Sequence, residues 1–215
     1  SWDWGEDVQW VPNDTRSFSY CVDQGDYWKW VGVGDNYGWL RTGGKPASGD
    51  PKDGKGALWG LSWYGIRKAN IGLANLDKLT QATTEERNLI EGQLYFFRGW
   101  FHFMLMQFWG GLPYVDEVLP SDEVLKRARL TYRETADKAS EDFRKAAALL
   151  PLDWDETTVG KQTVGKNNIR INKIMALAYL GKNELWAGSP LMSGDVNAQT
   201  TAYNAESCQR AADAF

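Results

Sequence analysis

The chain is poor in the residues from which many enzyme sites are built. Among its 215 residues there is one histidine, His102, and there are two cysteines, Cys21 and Cys208. A single histidine argues against a classical catalytic triad and against a metal site with several histidine ligands. The two cysteines fit no metal-binding spacing, and sequence alone leaves open whether they form a disulfide or remain free thiols. We therefore expect a protein without a cofactor or a metal ion.

Long hydrophobic runs and an excess of positive charge are also lacking. No uninterrupted run reaches the roughly eighteen apolar residues expected of a membrane-spanning helix. The net charge of −4 argues against a nucleic-acid partner, which would favour a basic surface. A hydrophobic content of 43% is enough for a sizeable core. No signal peptide is recognisable, and we expect that the sequence starts at Ser1 because it was processed or trimmed.

Aromatic residues are abundant, and they are unevenly distributed. Eight of the twelve tryptophans precede residue 64, where they are mixed with glycine, aspartate and asparagine. Frequent glycines, with Pro46 and Pro51, break any long helix in this region. We predict irregular, aromatic-rich loops for residues 1–56, belonging to the same domain as a helical-repeat region over residues 57–215.

The segment LYFFRGWFHFMLMQFWGGLPYV, residues 94–115, could be a membrane span, a ligand site or a buried helix. Steps of three and four residues relate its apolar positions and those just before it: Leu89, Ile90, Leu94, Phe97, Phe101, Met104, Leu105 and Phe108. Phe96, Trp100 and Phe103 widen this stripe. The pattern favours a core helix over 85–109 with more than one packing partner, ended by Gly110, Gly111 and Pro113.

Three polar features of this region have plain structural interpretations. We expect Arg98 to be a satisfied buried charge or a cation–π partner rather than a ligand group. We expect His102 to be a packed helix residue. The mixture of acidic and basic residues over 122–145 is typical of a solvated helix face.

Four further helices are predicted, over about 58–79, 132–150 and 169–187 and from near Ala202 onward. Thr131 and Glu134 have the spacing of a capping box. The third predicted helix, 132–150, should bury Ala136, Ala139, Phe143, Ala146, Ala147 and Leu150. The fourth, 169–187, should bury Ile171, Ile174, Met175, Ala178, Tyr179, Leu185 and Trp186. We therefore predict an all-α fold, a tetratricopeptide-like helical-repeat scaffold that continues beyond residue 215.

Four segments, in order, resemble the SusD/RagB family. They are YGIRKANIGLANLD (64–77), RNLIEGQLYFFRGWFHFMLMQFWGGLPYV (87–115), LTYRETADKASEDFRKAAALLP (130–151) and KNNIRINKIMALAYLGKNELWAGSPL (166–191). The second carries the most specific signature, an aromatic helix followed by Phe-Gly-Gly-x-Pro, which Trp109 interrupts here. Gln93 and Gly99 also depart from the Glu and Ala often found in the family.

The resemblance implies a binding protein and not an enzyme. Members are surface-exposed, lipid-anchored proteins of the outer membrane that capture nutrients for a SusC-like TonB-dependent transporter. Their helical repeats form the scaffold that docks on the transporter. Loops from the N-terminal and later regions form the ligand site, and the later regions would lie beyond residue 215.

The tryptophan-rich front suggests where a glycan could bind. An indole face can cover the C–H side of a sugar ring while polar side chains hydrogen-bond its hydroxyl groups. Residues 23–41 combine both kinds of side chain, and we predict ligand contacts from Asp26, Tyr27, Trp28, Trp30, Asp35, Asn36, Tyr37, Trp39 and Arg41. Core anchoring is the competing interpretation for each tryptophan. Two other functions remain open at this point: peptide binding on the same architecture, and a tetratricopeptide adaptor that binds only protein.

Overall fold

The computed structural model describes residues 58–120, 127–192 and 202–215. The chain divides into two units, Ser1–Ser62 and Trp63–Phe215, and all described elements except the start of the first helix belong to the second. The described residues contain helices and no strand, as the sequence predicted. The α-helices are α1 (Leu58–Leu73), α2 (Thr84–Trp109), α3 (Tyr132–Leu149), α4 (Lys173–Ala187) and α5 (Ala205–Ala214). Short 3-10 turns lie at Leu76–Lys78, Trp154–Glu156, Gly160–Thr163 and Pro190–Met192.

The aromatic segment is a continuous helix, α2, as predicted. Thr83 begins it with a capping box: its hydroxyl accepts from the Glu86 backbone N–H, and the Glu86 carboxylate accepts from the Thr83 backbone. Gly110 ends it at φ 74°, a conformation that favours glycine. None of the described helices is both long and apolar enough to cross a membrane.

The buried face of α2 differs from the predicted one. Leu89 and Leu105 are buried as expected, but Ile90 and Phe97 are 38% and 37% exposed. The innermost line instead runs through Leu89, Gly92, Phe96, Gly99, Phe103 and Met106. Counting apolar side chains overlooked the two glycines, at which an added Cβ would meet α3 or Leu150 at its end. A Cβ on Gly99 would lie 3.2 Å from the Ala139 carbonyl oxygen.

Helix α3 matches its prediction closely. Thr131 and Glu134 form the second capping box, with the Glu134 carboxylate 2.8 Å from the Thr131 backbone nitrogen. All six residues predicted for its inner face are buried. The prediction of a solvated face over 122–145 is wrong at Asp142, which is 1% exposed because it pairs with Arg98. Residues 121–126 lie outside the described ranges.

Helix α4 differs most from its prediction. It begins at Lys173 rather than near residue 169, because the Asn172 side chain caps it by accepting from the Met175 backbone N–H. Three residues of the predicted buried stripe, Ile174, Ala178 and Leu185, are exposed. The buried face is Ala176, Leu180, Gly181, Asn183, Glu184 and Ala187. Two of these are polar, so a count of apolar spacing placed the face on the wrong side.

The helices from α2 to α5 stack in chain order, each antiparallel to the next. Gly92 faces Leu150 and Gly99 faces Ala139, so α2 and α3 run in opposite directions. At one end of the α3–α4 pair, the Asn183 amide donates to the Ala136 carbonyl. At the other end, the Lys173 backbone N–H donates to the Pro151 carbonyl, so α3 and α4 are also antiparallel. Glycines 181 and 188 face Phe215 and Cys208 across the α4–α5 pair. This sequential stacking is the predicted tetratricopeptide-like arrangement.

The remaining predictions for the described helices need smaller adjustments. Helix α1 ends at Leu73 rather than at 79, and a separate 3-10 turn follows. Gly65 and Gly72 of α1 lie against the Phe101 and Leu94 side chains, so α2 has a second packing partner, as predicted. The last helix starts at Ala205, capped by Asn204. Cys208 is a free, partly buried thiol, and Cys21 lies outside the described residues.

Candidate functional site

The predicted ligand platform lies outside the described residues. This applies to all nine side chains: Asp26, Tyr27, Trp28, Trp30, Asp35, Asn36, Tyr37, Trp39 and Arg41. Their role therefore stays a prediction. The described helices instead show the scaffold and the contacts that the polar residues of the aromatic helix make.

A buried ion pair joins α2 to α3. The Arg98 Nε and Nη2 atoms donate to the two carboxylate oxygens of Asp142 at 2.6 and 2.7 Å. The Tyr114 hydroxyl donates a third bond to Asp142 Oδ2 at 2.6 Å. Arg98 and Asp142 are 6% and 1% exposed, so water contributes little to their solvation. The parallel two-bond geometry is the strong form of an arginine–carboxylate contact.

The same arginine also hydrogen-bonds to α1 and to the segment that follows α2. Its Nη1 atom donates to Asn70 Oδ1 at 3.0 Å and to the Asp116 carbonyl at 3.1 Å. The Asn70 amide then donates to the carbonyls of Val115 and Glu117 at 2.9 and 3.0 Å. Arg98 also lies over the Tyr95 ring at 5.3 Å. Both interpretations of Arg98, the satisfied charge and the cation–π partner, are therefore confirmed.

His102 completes the network as a neutral ring. Its Nε2 atom accepts from the Val115 backbone N–H at 3.2 Å, so Nδ1 carries the proton and donates to the Arg98 carbonyl at 2.9 Å. The imidazole stacks on Tyr114 at a centroid distance of 3.8 Å. Full burial lowers the pKa of His102 to about 3. Burial and the Asp142 charge raise the pKa of Tyr114 well above its usual value. His102 is thus a packed helix residue, as predicted.

A second buried carboxylate, Glu184, lies where α3, α4 and α5 meet. It is 1% exposed, and it accepts from the Ser140 hydroxyl at 2.8 Å. Three arginines surround it: Arg210 at 3.1 Å, Arg133 at 3.3 Å and Arg144 at 3.4 Å. The arginines come from the neighbouring helices, so this cluster fixes the position of α4 relative to both neighbours.

Neither network has the form of a catalytic site. Their carboxylates are occupied by arginine, tyrosine or serine donors, which leaves no base directed at an open surface. In the described part of the chain, no three metal-binding side chains converge. The arrangement fixes helices in place, and we assign it a structural role.

The loop between α3 and α4 is held by its own polar contacts. The Trp154 indole N–H donates to the Ile171 carbonyl at 2.7 Å. The Asn167 amide donates to Asp155 Oδ1, to Gly160 O and to Thr163 O. Glu85, in the first turn of α2, accepts from the Thr158 backbone N–H at 3.2 Å. These bonds fix the loop beside the N-terminal half of α2.

Stacked antiparallel helices, locked by buried arginine–carboxylate pairs, define an all-α helical-repeat scaffold. The family described as "Starch-binding associating with outer membrane" matches residues 24–182. The chain therefore belongs to the SusD-like family, as the four segments indicated. Comparison with curated proteins gives no significant match.

Solved structures of two SusD-like proteins and of one surface glycan-binding protein share the fold. A SusD-like protein from Bacteroides fragilis is 25% identical with a TM-score of 0.53, over 65% of this chain and 25% of that one. A SusD-like carbohydrate binding protein from the same species is 21% identical with a TM-score of 0.50, over 67% and 26%. Surface glycan-binding protein A from Bacteroides uniformis is 23% identical with a TM-score of 0.50, over 60% and 27%. The chain spans about a quarter of these proteins' length.

Sequence reasoning missed several residues that matter in the structure. The spacing of Asp142 places it among ordinary surface charges. The burial of Glu184 could not be predicted, because its sequence position does not distinguish it from an exposed charged residue on a helix. Trp154 and Arg170 are sixteen positions apart in a loop, and only the fold brings them together.

Proposed function

We propose that this protein captures an oligo- or polysaccharide at the cell surface and delivers it to a SusC-like TonB-dependent transporter in the outer membrane. The observation that carries the proposal is the family match over residues 24–182, whose description names both starch binding and the outer membrane. The printed names of two similar structures, a carbohydrate binding protein and a surface glycan-binding protein, support it.

The glycan contacts are assigned to the tryptophan-rich segment 23–41. Trp28, Trp30 and Trp39 would stack on sugar rings, while the acidic, amide and guanidinium groups of this segment bond the hydroxyls. The described helices support this division of labour. The buried polar residues Arg98, His102, Asp142 and Glu184 are all engaged in internal contacts, so they are not available to a glycan.

The protein acts as a binding component and not as a catalyst in this proposal. An N-terminal lipid tethers it to the outer membrane, and the helical scaffold docks on the transporter. The buried pairs Arg98–Asp142 and Glu184–Arg210 hold that scaffold rigid, which lowers the entropic cost of docking.

The test is binding of purified protein to a polysaccharide panel. Tryptophan fluorescence and affinity gels would be measured with amylopectin first, because the family description names starch, and then with xylan, mannan, inulin and pectin. We expect one polysaccharide to quench or blue-shift the fluorescence and to retard the protein. Trp28→Ala and Trp39→Ala should abolish retardation, whereas Tyr64→Ala, at an aromatic side chain 60% exposed on α1, should not.

Other results would redirect the assignment. Binding of peptides but of no polysaccharide would favour the peptide-binding alternative. Binding of neither, together with capture of one folded protein partner, would favour a tetratricopeptide adaptor. Full retardation of both tryptophan variants would remove segment 23–41 from the ligand site.

A further inference from the structure

The N-terminal half of α2 and the loop before α4 border an open cleft of about 460 Å³, here called the α2 cleft. Its walls include Glu86, Ile90 and Gln93 of α2 together with Trp154 and Arg170 of the loop. The volume falls within the range of about 300–1,000 Å³ that is usual for small-molecule sites.

The cleft contains a fixed aromatic ring covered by a cation. The Trp154 indole is only 3% exposed, and its bond to the Ile171 carbonyl fixes its orientation. The Arg170 guanidinium carbon lies 4.9 Å from the centre of the Trp154 ring. A guanidinium over the face of an indole is attracted by the charge distribution of the ring, while its N–H groups remain available as donors. The ring therefore preorganises a hydrogen-bond donor.

Three polar groups in the cleft retain bonding capacity. Within the described ranges, the Arg170 guanidinium takes part in no hydrogen bond or ion pair. Gln93 uses its Nε2 atom for the Leu89 carbonyl at 2.8 Å, which leaves Oε1 as an acceptor. Glu86 uses Oε2 in the helix cap, which leaves Oε1. Beside them Ile90 presents an apolar surface that is 38% exposed.

We propose that the α2 cleft is a second saccharide contact, which takes one neutral pyranose unit of the captured glycan. This rests on the proposed glycan-binding function. A sugar hydroxyl both donates and accepts, so one ring can accept from Arg170 and donate to Gln93 and Glu86. Its C–H face can cover Ile90. The Arg170 guanidinium and the Glu86 carboxylate give the wall no net charge. An acidic sugar would be attracted by Arg170 and repelled by Glu86, so its charge would add no net affinity.

The probe is a set of neutral oligosaccharides added to the full chain labelled with nitrogen-15. Maltoheptaose, xylohexaose and mannohexaose would be compared with the acidic hexagalacturonate. The readouts are the Trp154 indole N–H and Arg170 Nε–H signals, with Trp154→Phe assigning the former. We expect at least one neutral oligosaccharide to move both signals in a saturable way, and hexagalacturonate to move neither.

Arg170→Ala removes the charged donor, and it should weaken saturation at the Trp154 signal about tenfold. Lys145→Ala is the matched control, because Lys145 is also a cation over an aromatic ring, 5.1 Å from the Tyr95 centroid, but lies outside the cleft. The control should bind as the parent does. Circular dichroism melting would confirm that both variants remain folded.

The outcomes separate this inference from the proposed function. If the indole signals of Trp28, Trp30 and Trp39 move while Trp154 stays still, glycan binding stands and the cleft is refuted. If Trp154 moves and those three stay still, the cleft stands and the platform is refuted. If no signal moves with any neutral oligosaccharide, both are overturned. Equal saturation by Arg170→Ala and the parent, or a stronger response to hexagalacturonate, also overturns the cleft.

Discussion

Replacing Asp142 by asparagine removes the charge from the buried pair at the centre of the scaffold. The change keeps the size of the side chain but leaves the Arg98 guanidinium, 6% exposed, without a counter-ion. Removing one partner of a buried ion pair costs about 3–5 kcal/mol, because the remaining charge is neither solvated nor neutralised. We expect Asp142→Asn to lower the free energy of unfolding by about that amount.

The assay is urea unfolding followed by circular dichroism at the helical band. With a slope of about 2 kcal/mol per molar urea, the midpoint should fall by about 1.5–2.5 M. The double variant Arg98→Met/Asp142→Leu removes both charges and leaves only neutral groups, such as the Tyr114 hydroxyl, without a partner. The double variant should lower the free energy of unfolding by about 1–3 kcal/mol, which is less than the decrease for Asp142→Asn.

A matched control comes from an exposed pair of the same chemistry. Arg127 contacts Glu117, with side chains 35% and 61% exposed. Glu117→Gln should cost under about 1 kcal/mol because water solvates both groups. The reasoning is refuted if Asp142→Asn costs no more than Glu117→Gln, or if the double variant is less stable than Asp142→Asn.

Three further predictions concern single positions. The pKa of His102 is lower in the folded protein than its usual value of about 6.5, so its contribution to stability is complete above that pH and declines as pH falls toward 3. Nitrogen NMR of this sole histidine should show a neutral Nδ1–H ring at pH 5, and protonation near pH 6.5 would contradict the network. Gly111→Ala should cost at least about 1–3 kcal/mol by denaturation, because its Cβ would lie 2.2 Å from the Leu130 carbonyl oxygen. Gly60→Ala, whose added Cβ would meet no neighbouring group of the described residues within 4 Å, should instead stabilise, and equal effects would refute the steric argument. Thr131→Ala should cost about 1 kcal/mol in the same assay, with no loss expected from Thr84→Ala one residue after the α2 cap.

Local chemistry made α2 and α3 predictable. Thr131 with Glu134 forms a cap whose bonds lie within four residues, so no knowledge of the fold is needed to recognise it. Four of the five alanines of α3 lie on one face, and this face is buried because small side chains let neighbouring helices approach, whereas Ala148 is exposed. Arg98 and His102 were correctly interpreted as packed residues, since an aromatic helix leaves little room for solvent.

The remaining features depend on contacts between distant residues, which sequence patterns do not reveal. Glu184 is buried only because arginines from α3 and α5 converge on it, and those residues are up to 51 positions away. The inner line of α2 passes through Gly92 and Gly99, which have no side chain for an apolar pattern to register. The α2 cleft could not be predicted either. Its residue Arg170 lies in the loop before α4, and no helical periodicity relates that loop to α2.

The central claim is that the helices supply a scaffold while the tryptophan-rich segment supplies the main glycan contacts. The most direct test compares the affinity of the parent for its polysaccharide with that of Trp28→Ala/Trp30→Ala/Trp39→Ala and of the helix variant Thr131→Ala. We expect the triple variant to lose binding with its unfolding midpoint unchanged, and Thr131→Ala to lose stability with its affinity unchanged. Binding retained by the triple variant at the affinity of the parent would contradict the account.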